Sequence, residues 1–304
     1  MKRFGVVMVL LAAVLGAPPA RAADKKFALL MSHMSNAFTI EMANAVQTKA
    51  KELKANLTVF EAGQDVAKQI SQIESAVAQG YAAIMIEPVS VDGVVPAIEA
   101  AKKAGVVVVT LNQKIAKPEA ADCYVGANPV EGGELEMETA AKAIGGKGTV
   151  AFLLGPMGSD AQLGRTKGYE NVLKKYPGIK VAYQQTANWR TDEALKLTEN
   201  WLQTGTQLDA IVANNDGMAM GALKAVEDAK LGGKVKVYGL DATPDALAAV
   251  KDGRLAATIS QSTTDQGMMA METAYKIVGG AKPKPEAIVA HTLITKANVD
   301  KFIK

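Results

Sequence analysis

Three short apolar runs in the last third of the chain lead to polar residues whose side chains are suited to binding hydroxyl groups. The runs and the residues that follow them are 211–213 with Asn214 and Asn215, 235–240 with Asp241, and 256–259 with Gln261. Segments with the apolar spacing of helices lie between the runs, and this alternation indicates a parallel α/β sheet. Ligands of such sheets bind just outside the carboxyl ends of the strands, so we expect these amides and the carboxylate to share one cleft.

This set of side chains contains neither an obvious nucleophile nor a metal cage. The two histidines, His33 and His291, are far apart in the sequence and lack metal-ligand spacing. No acid–base pair and no nucleophile–His–Asp arrangement can be recognised, which makes an enzyme acting on a sugar the weaker hypothesis. We predict a site that binds a hydroxyl-rich molecule without changing it, and we expect neither a cofactor nor a metal.

The first residues have the pattern of a secretory signal peptide. Lys2 and Arg3 are positively charged, residues 5–16 are apolar, and the Ala-Arg-Ala sequence at 20–22 fits the small-x-small rule for cleavage. We therefore predict that residues 1–22 are a signal peptide. An N-terminal membrane anchor is the alternative, although the apolar segment is short for crossing a bilayer.

The composition of the remaining chain fits an exported small-molecule binder. The whole sequence has 34 Lys and Arg against 31 Asp and Glu, and three of the basic residues belong to the predicted signal. A net charge near zero gives no basic surface for nucleic acid and no attraction to membranes. The single Cys123 cannot form an internal disulfide. A soluble exported protein of this kind fits the periplasm of a Gram-negative bacterium.

Roughly 280 residues exceed what one hydrophobic core usually holds, so two domains are expected. Apolar runs predict strands at 27–31, 57–60, 82–86, 106–111, 123–125, 150–154, 181–183, 211–213, 235–240, 256–259 and 288–290. Helical spacing predicts helices at 38–53, 66–78, 94–104, 134–144, 161–174, 192–203 and 264–277. No long linker separates two halves, which suggests that the chain passes between the domains more than once.

Over essentially the whole mature chain, the sequence resembles the periplasmic sugar-binding proteins of ABC importers, of the ribose- and galactose-binding type. The resemblance is strongest in NNDGMAMGAL, VYGLDATPDA and DGRLAATISQ, which start at 214, 237 and 252. It implies a type I periplasmic binding protein, in which two doubly wound parallel-sheet lobes are joined by a three-strand hinge. The implied N-terminal lobe is 23–126 with 261–290, and the implied C-terminal lobe is 127–260 with 291–304.

The same resemblance implies a set of ligand-binding residues: Asn36, Phe38, Asn112, Gln113, Arg165, Trp189, Asn215, Asp241 and Gln261. The two aromatic rings would cover the apolar face of a sugar, and the polar side chains would bind its hydroxyl rim. A hydroxyl that stays unpaired in a closed cleft costs about 1–3 kcal/mol, so the placement of these groups sets specificity.

The sequence departs from the ribose-binding pattern at two places. Asn112 and Gln113 stand where that pattern has Asp-Arg, and Thr39 stands where the family often has a second aromatic. The matched charges that remain are Arg165 and Asp241, one of each sign, which favours an uncharged ligand. The expected ligand is therefore an aldose other than ribose, a cyclitol such as inositol, or a linear polyol.

Several of these residues also have structural interpretations. Asp241 is a possible cap for a helix that begins near Pro244. Asn215 and Asp216 are both possible caps for a helix that begins at 217. We assign the cap to Asp216 and a ligand role to Asn215. The Gly-rich segment 155–159 lacks a Lys-Ser/Thr ending and predicts a turn before a helix.

The leading hypothesis is a soluble receptor that closes around a sugar-like solute and delivers it to an inner-membrane ABC permease. A transcriptional regulator with the same two-lobed fold would need an N-terminal helix-turn-helix, where this chain has an export signal. Presentation of the closed form to a chemoreceptor is compatible with the leading hypothesis and stays open.

Overall fold

The computed structural model describes residues 25–303, in which strands alternate with helices along almost the whole chain. The strands are β1 Lys26–Met31, β2 Asn56–Glu61, β3 Ala83–Ile86, β4 Val107–Leu111, β5 Cys123–Gly126, β6 Lys147–Leu154, β7 Gly178–Thr186, β8 Ala210–Ala213, β9 Lys236–Leu240, β10 Ala257–Ser260, β11 Glu286–Ile288 and β12 Thr292–Ile294. The helices are α1 Ala37–Glu52, α2 Val66–Ala78, α3 Val95–Lys103, α4 Pro129–Ala143, α5 Asp160–Leu173, α6 Thr191–Gln203, α7 Asp216–Asp228, α8 Pro244–Asp252 and α9 Thr263–Val278.

The strands form two six-stranded sheets with the same connectivity. The first sheet has the order β2-β1-β3-β4-β5-β11, and the second has the order β7-β6-β8-β9-β10-β12. All neighbouring strands are parallel except β12, which is antiparallel to β10. In each sheet the strand order reverses beside β1 or β6, and such a switch point is where doubly wound sheets bind ligands.

Helices cover both faces of each sheet, which is why the central strands are apolar without alternation. In β1, Phe27 and Leu29 belong to one hydrophobic core, whereas Ala28 and Leu30 belong to the core on the opposite face. The second sheet likewise separates two cores. The prediction of two doubly wound sheets is therefore confirmed.

The chain passes from one sheet to the other three times. Strand β5 of the first sheet leads to α4 and β6 of the second, and β10 of the second leads back to α9, which packs on α1. The third passage lies between β11 and β12. The lobe boundaries implied by the resemblance, at 126/127, 260/261 and 290/291, lie within these connections. The exact lobe boundaries stay a prediction.

The structure differs from the predicted elements mainly around α4 and at the C-terminal end. Helix α4 begins at Pro129, five residues before the predicted start, because Asn128 caps it and proline is favoured in the first helical turn. Gly132 and Gly133 look like turn signals in the sequence, but Gly133 lies against the backbone of α5 and Gly132 lies against the side chains of His291 and Leu240. Strand β12 was not predicted, and β11 lies two residues before the predicted position.

None of the helices in residues 25–303 is long and apolar enough to cross a membrane. The predicted signal peptide, residues 1–22, lies outside the described residues.

Candidate functional site

A cleft forms where the carboxyl ends of the two sheets face each other. The side chains that line it are His33, Asn36, Phe38, Thr39, Glu87, Asn112, Gln113, Ala161, Arg165, Trp189, Asn215 and Asp241. Eight of the nine residues predicted to bind ligand are in this set, and the ninth, Gln261, lies directly behind it. The geometry thus brings together residues that are more than 200 positions apart in the sequence.

The backbone is strained at several of the cleft residues. Asn112, Trp189 and Asp241 have φ angles of 62°, 63° and 138°, in a region that residues other than glycine rarely adopt. All three follow the carboxyl end of a strand. Such strain is held in place by the surrounding fold and is common at ligand sites, where it aims a side chain that a relaxed backbone would turn away.

On the side of the second sheet, Arg165 and Asp241 form a buried charge pair. An Nη atom of Arg165 lies 3.9 Å from Oδ1 of Asp241, and the other donates to the backbone carbonyl of Asn214. Both charged side chains are almost completely buried. Helix α4 supports this arginine through Gly133, where a Cβ would come within 2.2 Å of the Arg165 carbonyl oxygen. The glycine therefore permits contact between the backbones of α4 and α5.

Gln261 connects Asp241 to a residue of the first sheet. Its Nε2 donates to Oδ1 of Asp241 at 2.8 Å, and its Oε1 accepts from Nδ2 of Asn112 at 3.0 Å. Asp241 does not cap helix α8, whose N-cap is Thr243. Burial raises the pKa of Asp241 to about 8, against the opposing effect of Arg165. A carboxyl buried in this way gains from any further hydrogen-bond donor, because such a donor stabilises its ionised form.

The two aromatic residues of the site line the cleft as predicted. The Trp189 indole packs so tightly on the backbone of Gly155 that a Cβ there would lie 2.1 Å from the ring. The Arg165 guanidinium lies 5.7 Å from the centre of the indole, a cation–π distance. Trp201 is away from the cleft, where it stacks on Tyr183 with the rings 5.3 Å apart. It belongs to the hydrophobic core of this lobe.

The assignment of the cap of α7 was wrong. Asn215 is the N-cap, with Oδ1 accepting from the backbone N–H of Met218 at 2.9 Å. Asp216 is instead buried behind the cleft and accepts from Thr243 and Thr258. The cap occupies Oδ1 of Asn215 and leaves its Nδ2 as the group that can serve a ligand.

Glu87 was not identified from the sequence, although it lines the cleft and is only 2% exposed. It follows strand β3, directly beside the switch point of the first sheet. The same rule that selected Asp241, a polar residue at the end of an apolar run, applies to Glu87. Its presence also corrects the charge balance, because the cleft has two carboxyl groups and one guanidinium rather than one of each.

Glu87 is held by a chain of hydrogen bonds that begins at the cap of α1. Its Oε2 accepts from both the backbone N–H and the hydroxyl of Ser32, at 3.1 and 2.7 Å. The Ser32 hydroxyl also contacts Nδ1 of His33 at 2.8 Å, and Nε2 of that ring lies 3.0 Å from Nδ2 of Asn36. His33, for which the sequence indicated no metal-binding role, is thus part of the site.

The space left between the cleft side chains is about 20 Å³, which is close to the room that one water molecule needs. A sugar ring is several times larger, so the two sheets must separate before a ligand of that size can enter. Among residues 25–303, no group of three or more His, Cys, Asp or Glu side chains is arranged to hold a metal ion. The chemistry present is that of binding.

Comparisons with known proteins agree with this geometry. The family described as periplasmic binding protein domain matches residues 27–282. A xylitol-binding protein of Mycolicibacterium smegmatis is 36% identical over 95% of this chain and 82% of its own length. A ribose import binding protein of Bacillus subtilis is 32% identical over 88% of this chain and 87% of its own length.

A solved structure extends the likeness to three dimensions. The ABC transporter solute-binding protein of Bacillus halodurans, crystallised with bound myo-inositol, superposes with a TM-score of 0.89 and is 31% identical. The alignment covers 91% of this chain and 96% of that one. Proteins of this family bind solutes for transport and are not enzymes. With a family match over most of its length and two sheets of the type I arrangement, the chain belongs to the periplasmic binding proteins.

Proposed function

We propose that this protein is the solute-binding component of an ABC importer and that it captures a sugar or a sugar-like polyol. The observation that carries the proposal is the cleft itself, in which two aromatic rings and buried polar side chains from both sheets converge. Aromatic faces suit the C–H surface of a sugar, and the amides and carboxylates suit its hydroxyls. Relatives that bind xylitol, ribose and myo-inositol support the same class of ligand.

In this proposal, the lobes are residues 23–126 with 261–290 and 127–260 with 291–304, and they rotate about the three connections between the sheets. The ligand contacts residues of both lobes and thereby stabilises the closed form. Asn36, Phe38, Asn112, Gln113, Arg165, Trp189, Asn215 and Asp241 contact the ligand directly, and Gln261 orients Asp241 and Asn112. The narrow cleft supports the need for this motion.

We further propose that residues 1–22 direct export to the periplasm, where the closed form docks on an inner-membrane permease. Presentation of the closed form to a chemoreceptor would use the same change of shape. N-terminal sequencing of the exported protein tests this part of the proposal. A protein that keeps residues 1–22 and stays on the membrane would contradict it.

The central experiment is a titration of the purified mature protein with aldoses, cyclitols and linear polyols, followed by calorimetry and small-angle scattering. We expect one of these ligands to bind with a Kd of about 1 µM or tighter, equivalent to about −8 kcal/mol, and to make the protein more compact. The Asp241→Ala variant is the control that must lose this response. Absence of binding across the whole panel would contradict the proposal.

A further inference from the structure

The buried charges of this protein are unbalanced. Among residues 25–303, the Asp, Glu, Lys and Arg side chains that are less than a tenth exposed are four carboxyls and one guanidinium: Glu87, Glu136, Asp216, Asp241 and Arg165. Glu136 accepts from Tyr169 and Asp216 from two threonines, and neither lines the cleft. The cleft itself therefore presents two carboxyls against one guanidinium.

The guanidinium of Arg165 is committed to the side of the second sheet. It contacts Asp241 and the carbonyl of Asn214, and it stacks near Trp189. Burial is the largest influence on the pKa of Glu87 and raises it. The charge of His33 and the hydrogen bonds from Ser32 oppose the shift. Among residues 25–303, the group that could place a positive charge beside Glu87 is thus the imidazole of His33.

A chain of hydrogen bonds links that imidazole to the cap of α1 and to Glu87. Oδ1 of Asn36 accepts from the backbone N–H of Thr39 at 3.0 Å and from its hydroxyl at 3.1 Å, which fixes the orientation of the amide. Nδ2 of Asn36 must then donate to Nε2 of His33, so Nε2 carries no proton. Nδ1–H donates to the Ser32 hydroxyl, which donates to Glu87. The chain delivers hydrogen bonds to Glu87 and contains no Lys or Arg.

A second acceptor in the same cleft lacks a partner. Oε1 of Gln113 is buried and receives no hydrogen bond from the residues that the structure describes. Oε2 of Glu87 already takes both donors of Ser32, which leaves Oε1 of Glu87 for the ligand. This part of the cleft thus offers two acceptor oxygens, one of them on an uncompensated carboxyl. A hydroxyl has a single proton to give, whereas an ammonium group has three and carries the missing charge.

We propose that the ligand of this cleft is a hydroxyl-rich molecule bearing a protonated amino group, which binds to Glu87 and Gln113. The inference rests on the proposed function and narrows its ligand class. This proposal replaces the uncharged ligand expected from the sequence, which was based on Arg165 and Asp241 alone. The hydroxyls of the ligand remain the partners of the amides and of Asp241.

The experiment measures binding of matched pairs that differ by one hydroxyl replaced by an amine, at pH 7. Suitable pairs are myo-inositol with its monoamino-monodeoxy derivatives, xylitol with 1-amino-1-deoxyxylitol, and D-glucose with D-glucosamine. We expect at least one amine to bind about tenfold or more tightly than its hydroxyl partner, as a charge-assisted hydrogen bond predicts. Glu87→Gln should reduce that ratio to near one. Glu61→Gln, which removes an exposed carboxylate of the same sheet, should keep it.

Each outcome decides between the two proposals. Equal or tighter binding of the hydroxyl partners by the unmodified protein would overturn the amine proposal and leave the proposed function standing. No binding by any member of any pair would overturn both. An amine preference that persists in a folded Glu87→Gln variant would remove the assignment to Glu87. The comparison on the unmodified protein remains decisive even if that variant does not fold.

Discussion

On one side of the cleft, Asp241 faces Arg165, and the pair is tied to Asn214 and Trp189. On the other side, Glu87 faces no cation and ends a hydrogen-bond chain that starts at the cap of α1. On the first side the protein itself supplies a cation beside the carboxyl, although Nε of Arg165 has no hydrogen-bond partner among the described residues. On the second side no Lys or Arg accompanies the carboxyl, and Oε1 of Gln113 receives no hydrogen bond from those residues. We therefore expect changes on the Asp241 side to affect folding and binding together, and changes on the Glu87 side to affect mainly ligand choice.

The largest effect is expected from Asp241→Ala. The change removes a ligand acceptor and leaves the buried guanidinium of Arg165 without its carboxylate, which typically costs about 3–5 kcal/mol. We expect an affinity loss of about 100-fold or more, measured by calorimetry, together with a lower Tm. Asp245→Ala, at an exposed position in the same segment, is the control and should change neither quantity appreciably. Retained affinity in Asp241→Ala would contradict the site.

The two tryptophans separate binding from stability on the same lobe. Trp201→Ala removes a buried stacked ring away from the cleft and should lower the free energy of unfolding by about 3 kcal/mol with little change in affinity. Trp189→Ala should weaken binding by about tenfold or more because it removes a ligand-facing aromatic surface. Denaturant titration and calorimetry on both variants measure the two effects. The reverse pattern would place the ligand elsewhere.

Ser32→Ala tests the hydrogen-bond chain on the Glu87 side. The variant keeps the backbone N–H that donates to Glu87 and removes only the hydroxyl between Glu87 and His33. A single hydrogen bond of this kind contributes about 0.5–1.5 kcal/mol, so we expect a three- to tenfold loss of affinity and a nearly unchanged Tm. Ser35→Ala, at an exposed neighbouring position, should bind like the unmodified protein. A large fall in Tm would show that the chain is structural.

The smallest effect is expected from pH. Burial raises the pKa of Asp241 and Glu136 to about 8 and that of Asp216 to about 6, so the folded protein holds these protons at pH values where the unfolded chain has released them. Stability from these groups therefore falls as pH rises from about 4 to about 8.

A buried histidine acts in the opposite direction at low pH. Burial lowers the pKa of His291 to about 4, and its contribution is lost as pH falls from about 6.5. We expect the Tm of the ligand-free protein to be higher near pH 6 than at pH 8. Glu136→Gln should flatten the fall between those values. A Tm that rises steadily to pH 8 would contradict the burial of these carboxyls.

The fold was predictable because its strands are continuous apolar runs and its helices have apolar residues at helical spacing. Helix α2 was predicted at the residues where it occurs, and all eleven predicted strands have counterparts within residues 25–303. Helix α4 was predicted too short because Pro129 and the glycines after it look like a turn in isolation. Only the structure shows that Gly133 faces the backbone of α5 and that Gly132 faces the side chains of His291 and Leu240.

The site was predictable where a residue type matched the resemblance, and Glu87 shows the limit of that approach. The family resemblance did not assign a ligand-binding role to Glu87. Its role became visible only from its position after β3 and its contact with Ser32. The cap of α7 shows a related limit. Asn215 and Asp216 are adjacent and chemically similar, and only the direction of each side chain separates a cap from a buried acceptor.

The contact between α4 and α5 has a consequence for redesign of this receptor. A Cβ at Gly133, Gly164 or Gly168 would come within 2.2–2.5 Å of the facing helix. Because these positions admit no side chain, they fix the position of Arg165. The residues that determine ligand specificity are different ones. Libraries that retarget the protein can therefore randomise Glu87, Asn112 and Gln113 while leaving the glycine seam untouched.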